Sequence, residues 1–144
     1  MSLITPTFSI ERIEGGCRIT RLQSFNTQRH IIIPSQINDI PVLEIGPGAF
    51  ANRKHLYDVY IIDGIERIAE SAFDGCVDLR EVRLPQTLRT IETFAFFHCT
   101  HLRYIQFPKK VENIGSHAFA GCNKLRTLVL PPLLTSIEDS VFKT

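Results

Sequence analysis

A fixed period of 23 residues constrains this chain more than any local propensity. Shifted by that interval, Ile45, Ile68, Ile91, Ile114 and Ile137 fall in one column. Phe50, Phe73, Phe96, Phe119 and Phe142 fall in a second, preceded by Ala49, Ala72, Ala95, Ala118 and Val141. Cys76, Cys99 and Cys122 form a third, with Arg53 in the first copy. Leu, Val/Ile/Leu, Leu-like and Pro columns follow, as in Leu79, Val82, Leu84 and Pro85. Self-similarity at a period of 20 to 50 residues marks stacked repeats, in which no unit buries its apolar face alone. Complete copies run over 42–64, 65–87, 88–110 and 111–133 without an insertion, and a fifth is cut off at Thr144.

Within a repeat the pattern changes. Leu79-x-x-Val82-x-Leu84-Pro85 places inward residues two apart and ends on proline, which predicts a short strand. Leu88-x-x-Ile91 reads as a turn or a second short extended piece. Ala95, Phe96 and Cys99 are spaced by one and three, which fits one helical or 3-10 turn laying its apolar side inward. Stacking then joins the Ile, Phe and Leu columns into one core.

Ahead of the regular register, residues 7 to 22 alternate at Phe8, Ile10, Cys17 and Ile19 around Gly15-Gly16, predicting a β-hairpin that closes the N-terminal end of the stack. Gln23 to His30 is polar and reads as a loop. Ile31, Ile33 and Pro34 repeat the strand-plus-proline signature, and Ser35 to Pro41 reads as a degenerate copy with an insertion. The chain divides into a cap and degenerate first repeat over 1–41 and regular repeats over 42–144, in one continuous domain.

At 144 residues and 44% hydrophobic content the chain can build a core of its own. Its formal net charge of +1 argues against nucleic acid as a partner, and no apolar run approaches the roughly 18 residues of a membrane span. MSLITPTFSIER has no secretory leader pattern, which leaves an intracellular protein or one without its leader; Met1 to Leu3 would suit a cloning remnant. Three of the four cysteines share one column, where a spacing of about 4.8 Å would permit a disulfide. A column of three can pair only two, so buried free thiols are the better reading. Cys17 lies outside the period and has no foreseeable partner.

The repeat resembles the BspA-like leucine-rich repeats, through Ile68, Ala72, Phe73, Cys76, Leu79, Val82, Leu84, Pro85 and Leu88, over residues 42 to 144. Arg53 in place of Cys, Ile62 in place of Pro and Val141 in place of Ala are the departures. The resemblance implies an α/β right-handed leucine-rich-repeat solenoid with a parallel concave sheet, helical or 3-10 turns opposite, and a hairpin cap. Its characterised relatives are surface proteins of bacteria and some protists that bind host matrix proteins or other cells. That implies a cell-surface or extracellular adhesion module, and it supplies no catalytic residue.

Strand geometry names a candidate face. If Leu79, Val82 and Leu84 point inward, Arg80, Glu81 and Arg83 point out; their equivalents are Tyr57, Asp58 and Tyr60, then Arg103, Tyr104 and Gln106, then Arg126, Thr127 and Val129. All three tyrosines and four of the eleven arginines lie there. Tyr and Arg are enriched in interface hot spots, although strands favour Tyr in any case. A partner protein, such as a matrix or cell-surface glycoprotein, is the leading expectation. Arg80, Arg103 and Arg126 make a row about 5 Å apart, which an acidic or sulfated ligand would suit; Asp58, Glu81 and Asp78 are expected to offset part of their repulsion. Four strands exposing about 15 Å each give only about 300 Å², against about 800 Å² per partner in a standard interface.

Other chemistry has little support. His98, Cys99 and His101 resemble a metal or thiol cluster, but Cys99 belongs to the buried column and the equivalent sites lack both histidines. Gly46-Pro47-Gly48 falls in a turn and not in a phosphate loop. No metal, cofactor or enzymatic activity is expected. Leu125, Leu128, Leu130, Ile137 and Phe142 would border an exposed end of the core. That end fits either a chain whose following residues are missing or a homodimer through the C-terminal end, the latter making an assembly scaffold the second functional reading.

Overall fold

The computed structural model describes residues 8–23, 27–126 and 128–144. Expectations for Met1 to Leu3, for the centre of the 23–30 loop and for Thr127 lie outside the described residues. The chain coils around a core lined by two sheets. One is ordered β1 (Phe8–Ile13), β2 (Gly16–Leu22), β5 (Ile40–Ile45), β7 (Arg67–Ile68), β9 (Thr90–Ile91), β10 (Asn113–Ile114), with β4 (Gln36–Ile37) added on β5. The other is β3 (His30–Ile33), β6 (Asp58–Ile61), β8 (Glu81–Arg83). Strands of successive coils are parallel and in register at the repeat interval, as in Ile45↔Ile68↔Ile91↔Ile114 and Val59↔Val82. The Leu88-x-x-Ile91 signature thus ends in a short strand, Thr90–Ile91, flanked by amides that ladder onto the coil before it: Arg89 N–H donates to Glu66 O at 2.9 Å and Glu92 N–H to Ile68 O at 2.9 Å.

Of the helical or 3-10 turns expected on one side of an α/β solenoid, only the last, cut-off copy carries one among the described residues, around Val141 and Phe142. Among the described residues the only helix is a 3-10 turn over Asp139–Phe142, and the molecule is mostly β. The Ala-Phe-x-x-Cys segments are successive tight turns with i to i−3 hydrogen bonds, Ala72 N–H to Ala69 O and Cys76 N–H to Phe73 O, both 3.2 Å. A helix cannot propagate through them because each coil has two left-handed residues. Gly48, Ser71, Phe94 and His117 occupy the first position at φ of 57 to 63°, and Asn52, Gly75, His98 and Gly121 the second at 58 to 79°. Left-handed geometry costs L-residues about 1 to 2 kcal/mol each. The amides between these points are then free to pair across coils: Phe50 N–H to Ala72 O, Phe73 N–H to Ala95 O, Phe96 N–H to Ala118 O and Phe119 N–H to Val141 O, all 2.7 to 2.8 Å.

β1 and β2 form an antiparallel hairpin, one residue away from the expected turn. Ile13 pairs with Gly16, so Glu14 and Gly15 make the turn, with Gly15 at φ 85°. Gly16 is glycine for another reason: a Cβ there would overlap the Pro41 carbonyl oxygen. The insertion over 35–41 is itself a tight hairpin, with Asn38 and Asp39 left-handed at φ 52 and 64°, the conformation a two-residue turn of this twist demands. Arg18 Nη2 lies 3.1 Å from the buried carboxylate of Glu44 and ties β2 to β5.

The columns are the core. Phe50, Phe73, Phe96 and Phe119 are fully buried and stack with ring centroids 5.0, 5.1 and 5.1 Å apart and interplanar angles of 10° or less. Phe8 closes one end edge-on at 6.1 Å, and Phe142 stacks on the other at 5.7 Å. All four cysteines are free and buried. Three thiols donate to the phenylalanine carbonyl of the preceding coil: Cys76 to Phe50, Cys99 to Phe73 and Cys122 to Phe96, at 3.0 to 3.2 Å. Arg53 does the same for the first coil, its guanidinium donating to the Leu22 carbonyl. The departure from Cys therefore keeps the bond. Ile62 likewise replaces Pro with a gain, since its N–H donates to Ile33 O at 3.0 Å, which proline could not do.

Burial pushes the Cys76 thiol up to about 12 from an ordinary 9.0, and Cys99 well above it, because a thiolate there would lose its hydration. A folded pKa raised above the unfolded one gives stability that is complete below pH 9 and falls as pH rises toward 12. Alkaline unfolding, followed by circular dichroism between those limits, should therefore be less steep in Cys76→Ala than in the wild type. Parallel profiles would contradict the burial argument.

Candidate functional site

The outward positions of the β3-β6-β8 sheet come together as one strip. Ladder register aligns His30, Asp58, Glu81 and Tyr104, the last through a single parallel bridge from Glu81 to Tyr104. It also aligns Ile32, Tyr60 and Arg83. Backbone bonds from Tyr57 to Arg29, Arg80 to Tyr57 and Arg103 to Arg80 set a neighbouring column of Arg29, Tyr57, Arg80 and Arg103. Of the four expected strands two form, β6 and β8, and the third is reduced to that bridge; β3 extends the sheet on the N-terminal side. Among the described residues, 126–130 form no strand, so Arg126 and Val129 continue the strip on non-ladder backbone. Leu128 is half-buried and Leu130 exposed, unlike their buried equivalents Ile105 and Phe107.

Three members of the strip escape the sequence argument: Arg29, His30 and Ile32, from the coil before the regular register. Ile32 is 57% exposed, a large apolar group at one end of the face. The alternation of Ile31 and Ile33 was the available signal, since it turns Ile32 outward.

The side chains fall into two groups. Tyr57 is held between two guanidinium groups, Arg29 at 4.7 Å and Arg80 at 4.3 Å from its ring centre, and its hydroxyl accepts from Arg29. Arg83 lies 4.4 Å over Tyr60. Such contacts contribute about 0.5 to 1 kcal/mol each at exposed sites, and they fix two tyrosines and three arginines in place. The acids expected to offset the arginine row are engaged elsewhere. Asp58 meets His30 Nδ1 at 2.6 Å, Glu81 meets Arg83 at 3.2 Å, and Asp78 meets His101 at 3.9 Å. Among the described residues, the side chains of Arg103 and Arg126 have no hydrogen bond, ion pair or ring contact. Tyr104 is 56% exposed, and its hydroxyl donates to Gln106 Oε1 at 3.3 Å. Beside the strip, burial first, then Arg53 and Arg29, push His55 below the ordinary imidazole value.

On the longer sheet three arginines are paired with glutamates. Arg89 bridges Glu66 at 3.5 Å and Glu112 at 3.1 Å across three coils; Arg67 meets Glu92 at 3.5 Å; and Arg18 meets Glu44 and Glu11. These arginines are internally neutralised and lace the stack together.

The His98, Cys99, His101 set does not converge. Cys99 points to Phe73 O in the core, His98 stacks on Phe97 at 3.8 Å, and His101 Nδ1 meets Val77 O at 2.7 Å. Among the described residues no group of three or more His, Cys, Asp and Glu side chains is placed to hold a metal ion. No helix among them is long and apolar enough to cross a membrane.

Stacked parallel coils with an apolar ladder and an outward polar strip define a leucine-rich-repeat protein. The BspA type leucine rich repeat region matches residues 43–144, in six copies, and the chain belongs to that family. Solved structures agree. A leucine-rich repeat protein of T. pallidum is 33% identical over 94% of this chain, with a TM-score of 0.90. One from Bacteroides capillosus is 26% identical over 88% of this chain and 95% of its own, with a TM-score of 0.75. The pneumococcal vaccine antigen PcpA shares the fold at 24% identity over 94% of this chain and 34% of its own, with a TM-score of 0.75. The chain spans 64% of the T. pallidum protein. Among curated proteins none matches it.

Proposed function

We propose that the outward face of the β3-β6-β8 sheet is a non-enzymatic protein-binding surface, formed by Tyr57, Asp58, Tyr60, Arg80, Glu81, Arg83, Arg103, Tyr104, Gln106 and Arg126, and extended by His30 and Ile32. The partner is a matrix or cell-surface glycoprotein, and the chain is part of an adhesive protein at the cell surface. The observation that carries this reading is the contrast between the sheets. Arg18, Arg67 and Arg89 of the long sheet are spent on glutamates that lace coil to coil, whereas on the strip Arg103 and Arg126 present unpaired donors and Tyr104 an exposed ring, beside a face already stiffened by stacked Tyr57 and Tyr60. A rigid face with uncommitted Tyr and Arg loses little entropy on binding. Family membership supports a surface setting.

The test is binding of wild type and an Arg103→Glu, Tyr104→Ala double variant to a panel of matrix glycoproteins, after both show the same melting temperature. The variant should bind a partner of the wild type at least about tenfold more weakly, since each hot-spot truncation costs about 2 kcal/mol. Unchanged binding would remove the strip from the site.

A second reading, an assembly segment that stacks through its C-terminal end, is favoured by the exposed Val129, Leu130, Leu133 and Ile137. It predicts a homodimer. A sedimentation run giving a clean monomer at high micromolar concentration would remove it.

A further inference from the structure

A depression of about 570 Å³ at one end of the strip is lined by Arg103, Asn123, Lys124, Leu125 and Arg126. It carries three cations and no acid. Arg103 and Arg126 come from the same repeat position of consecutive coils and line the same depression, and Lys124 adds a third positive charge two residues before Arg126. All three side chains are exposed, and none has an ion-pair partner among the described residues. The acids that might have neutralised them are held by His30, Arg83 and His101. Asn123 contributes an amide donor, and Leu125 is a half-buried apolar member of the wall. Like charges gathered this closely are unfavourable in isolation, so the arrangement gains most from an anion that bridges them. Guanidinium forks match tetrahedral and carboxylate oxyanions in pairs, and an ammonium group serves as a point charge beside them.

The geometry points to an anion subsite for the sulfate groups of a sulfated glycan, carried on the glycoprotein partner. The assignment rests on reading this face as the binding surface. Size favours a glycan chain over an acidic protein patch at this end: a saccharide unit with its sulfates needs only the depression, whereas a protein patch would have to spread over roughly 800 Å², far beyond its five lining residues. Arg80 is taken up by Tyr57, so the chain would be gripped at this end of the face.

The probe is a size-defined heparin hexasaccharide, titrated calorimetrically into wild type and a Lys124→Gln, Arg126→Gln double variant of equal melting temperature. The same oligosaccharide after chemical desulfation, and a DNA duplex of equal charge, serve as comparisons. Wild type should bind the sulfated form at about 50 mM salt and weaken steeply by about 200 mM, as counterion release requires. The variant should lose about tenfold or more, with a shallower salt slope. Desulfation should abolish binding, and the duplex should bind more weakly. No binding by wild type at low salt, equal binding by the variant, or a duplex bound as tightly would each overturn the assignment. Wild type that binds the hexasaccharide but no matrix glycoprotein would support the subsite while sinking the glycoprotein reading. Glycoprotein binding that survives enzymatic removal of sulfated chains would overturn the subsite and leave that reading intact.

Discussion

Phe96→Ala is expected to lower the unfolding free energy by about 3 to 5 kcal/mol. Phe96 is fully buried in the middle of the phenylalanine stack, between Phe73 at 5.1 Å and Phe119 at 5.1 Å. Removing it takes away contacts from both neighbours and leaves a void that the coil cannot close. Its own backbone is pinned on both sides, by Phe96 N–H to Ala118 O and by Phe73 N–H to Ala95 O, each 2.7 Å. The Cys122 thiol also donates to its carbonyl. Because coils interact chiefly with nearest neighbours, a defect in the centre should divide the cooperative unit as well as weaken it. Chemical denaturation with two probes would show this as a lower midpoint, with a broadened transition. A midpoint equal to wild type would contradict the stacked-core assignment.

The second large effect is expected at Gly115. A Cβ on this residue would overlap the Thr93 amide nitrogen and lie 2.7 Å from the Glu92 carbonyl carbon. Both are backbone atoms, held by the laddering of one coil on the next: Gly115 N–H donates to Ile91 O at 2.7 Å and Glu92 N–H to Ile68 O at 2.9 Å. A flexible side chain could swing away, but this backbone cannot. Gly115→Ala should therefore cost about 1 to 3 kcal/mol, toward the upper end. A melting temperature unchanged from wild type would show that the coils are spaced more loosely than described.

The stacking was legible in the sequence because every coil buries the same columns, so Ile68, Phe73, Cys76, Leu79 and Val82 each announce themselves five or fewer copies over. The turn side was not. A spacing of one and three between Ala95, Phe96 and Cys99 suits a 3-10 turn and a pair of consecutive tight turns equally well. Only the left-handed column of Asn52, Gly75, His98 and Gly121 separates them, and the His in that column hides the signal. The weakening of the strip toward its last coil was equally hidden, since Leu128 and Leu130 carry the right letters without making the ladder. The candidate face was legible as positions, through alternation around Val82. Its chemistry was not, because charge alone does not say which carboxylate an arginine can reach. Asp58, Glu81 and Asp78 sit near the arginine row in sequence, yet they meet His30, Arg83 and His101. Arg29, His30 and Ile32 were missed because they precede the regular period and carry no tyrosine to mark them.

The central claim is that one sheet face binds and the other does not. Arg103→Gln and Arg89→Gln each remove one positive charge, so the two variants share a net charge and differ in the face they alter. Titration of a matrix glycoprotein bound by wild type against both variants, at equal melting temperature, tests the claim directly. The account predicts that Arg103→Gln weakens binding by about fivefold or more, while Arg89→Gln, whose guanidinium is held by Glu66 and Glu112, binds as wild type does. Equal affinities for the two variants, or a loss confined to Arg89→Gln, would contradict it.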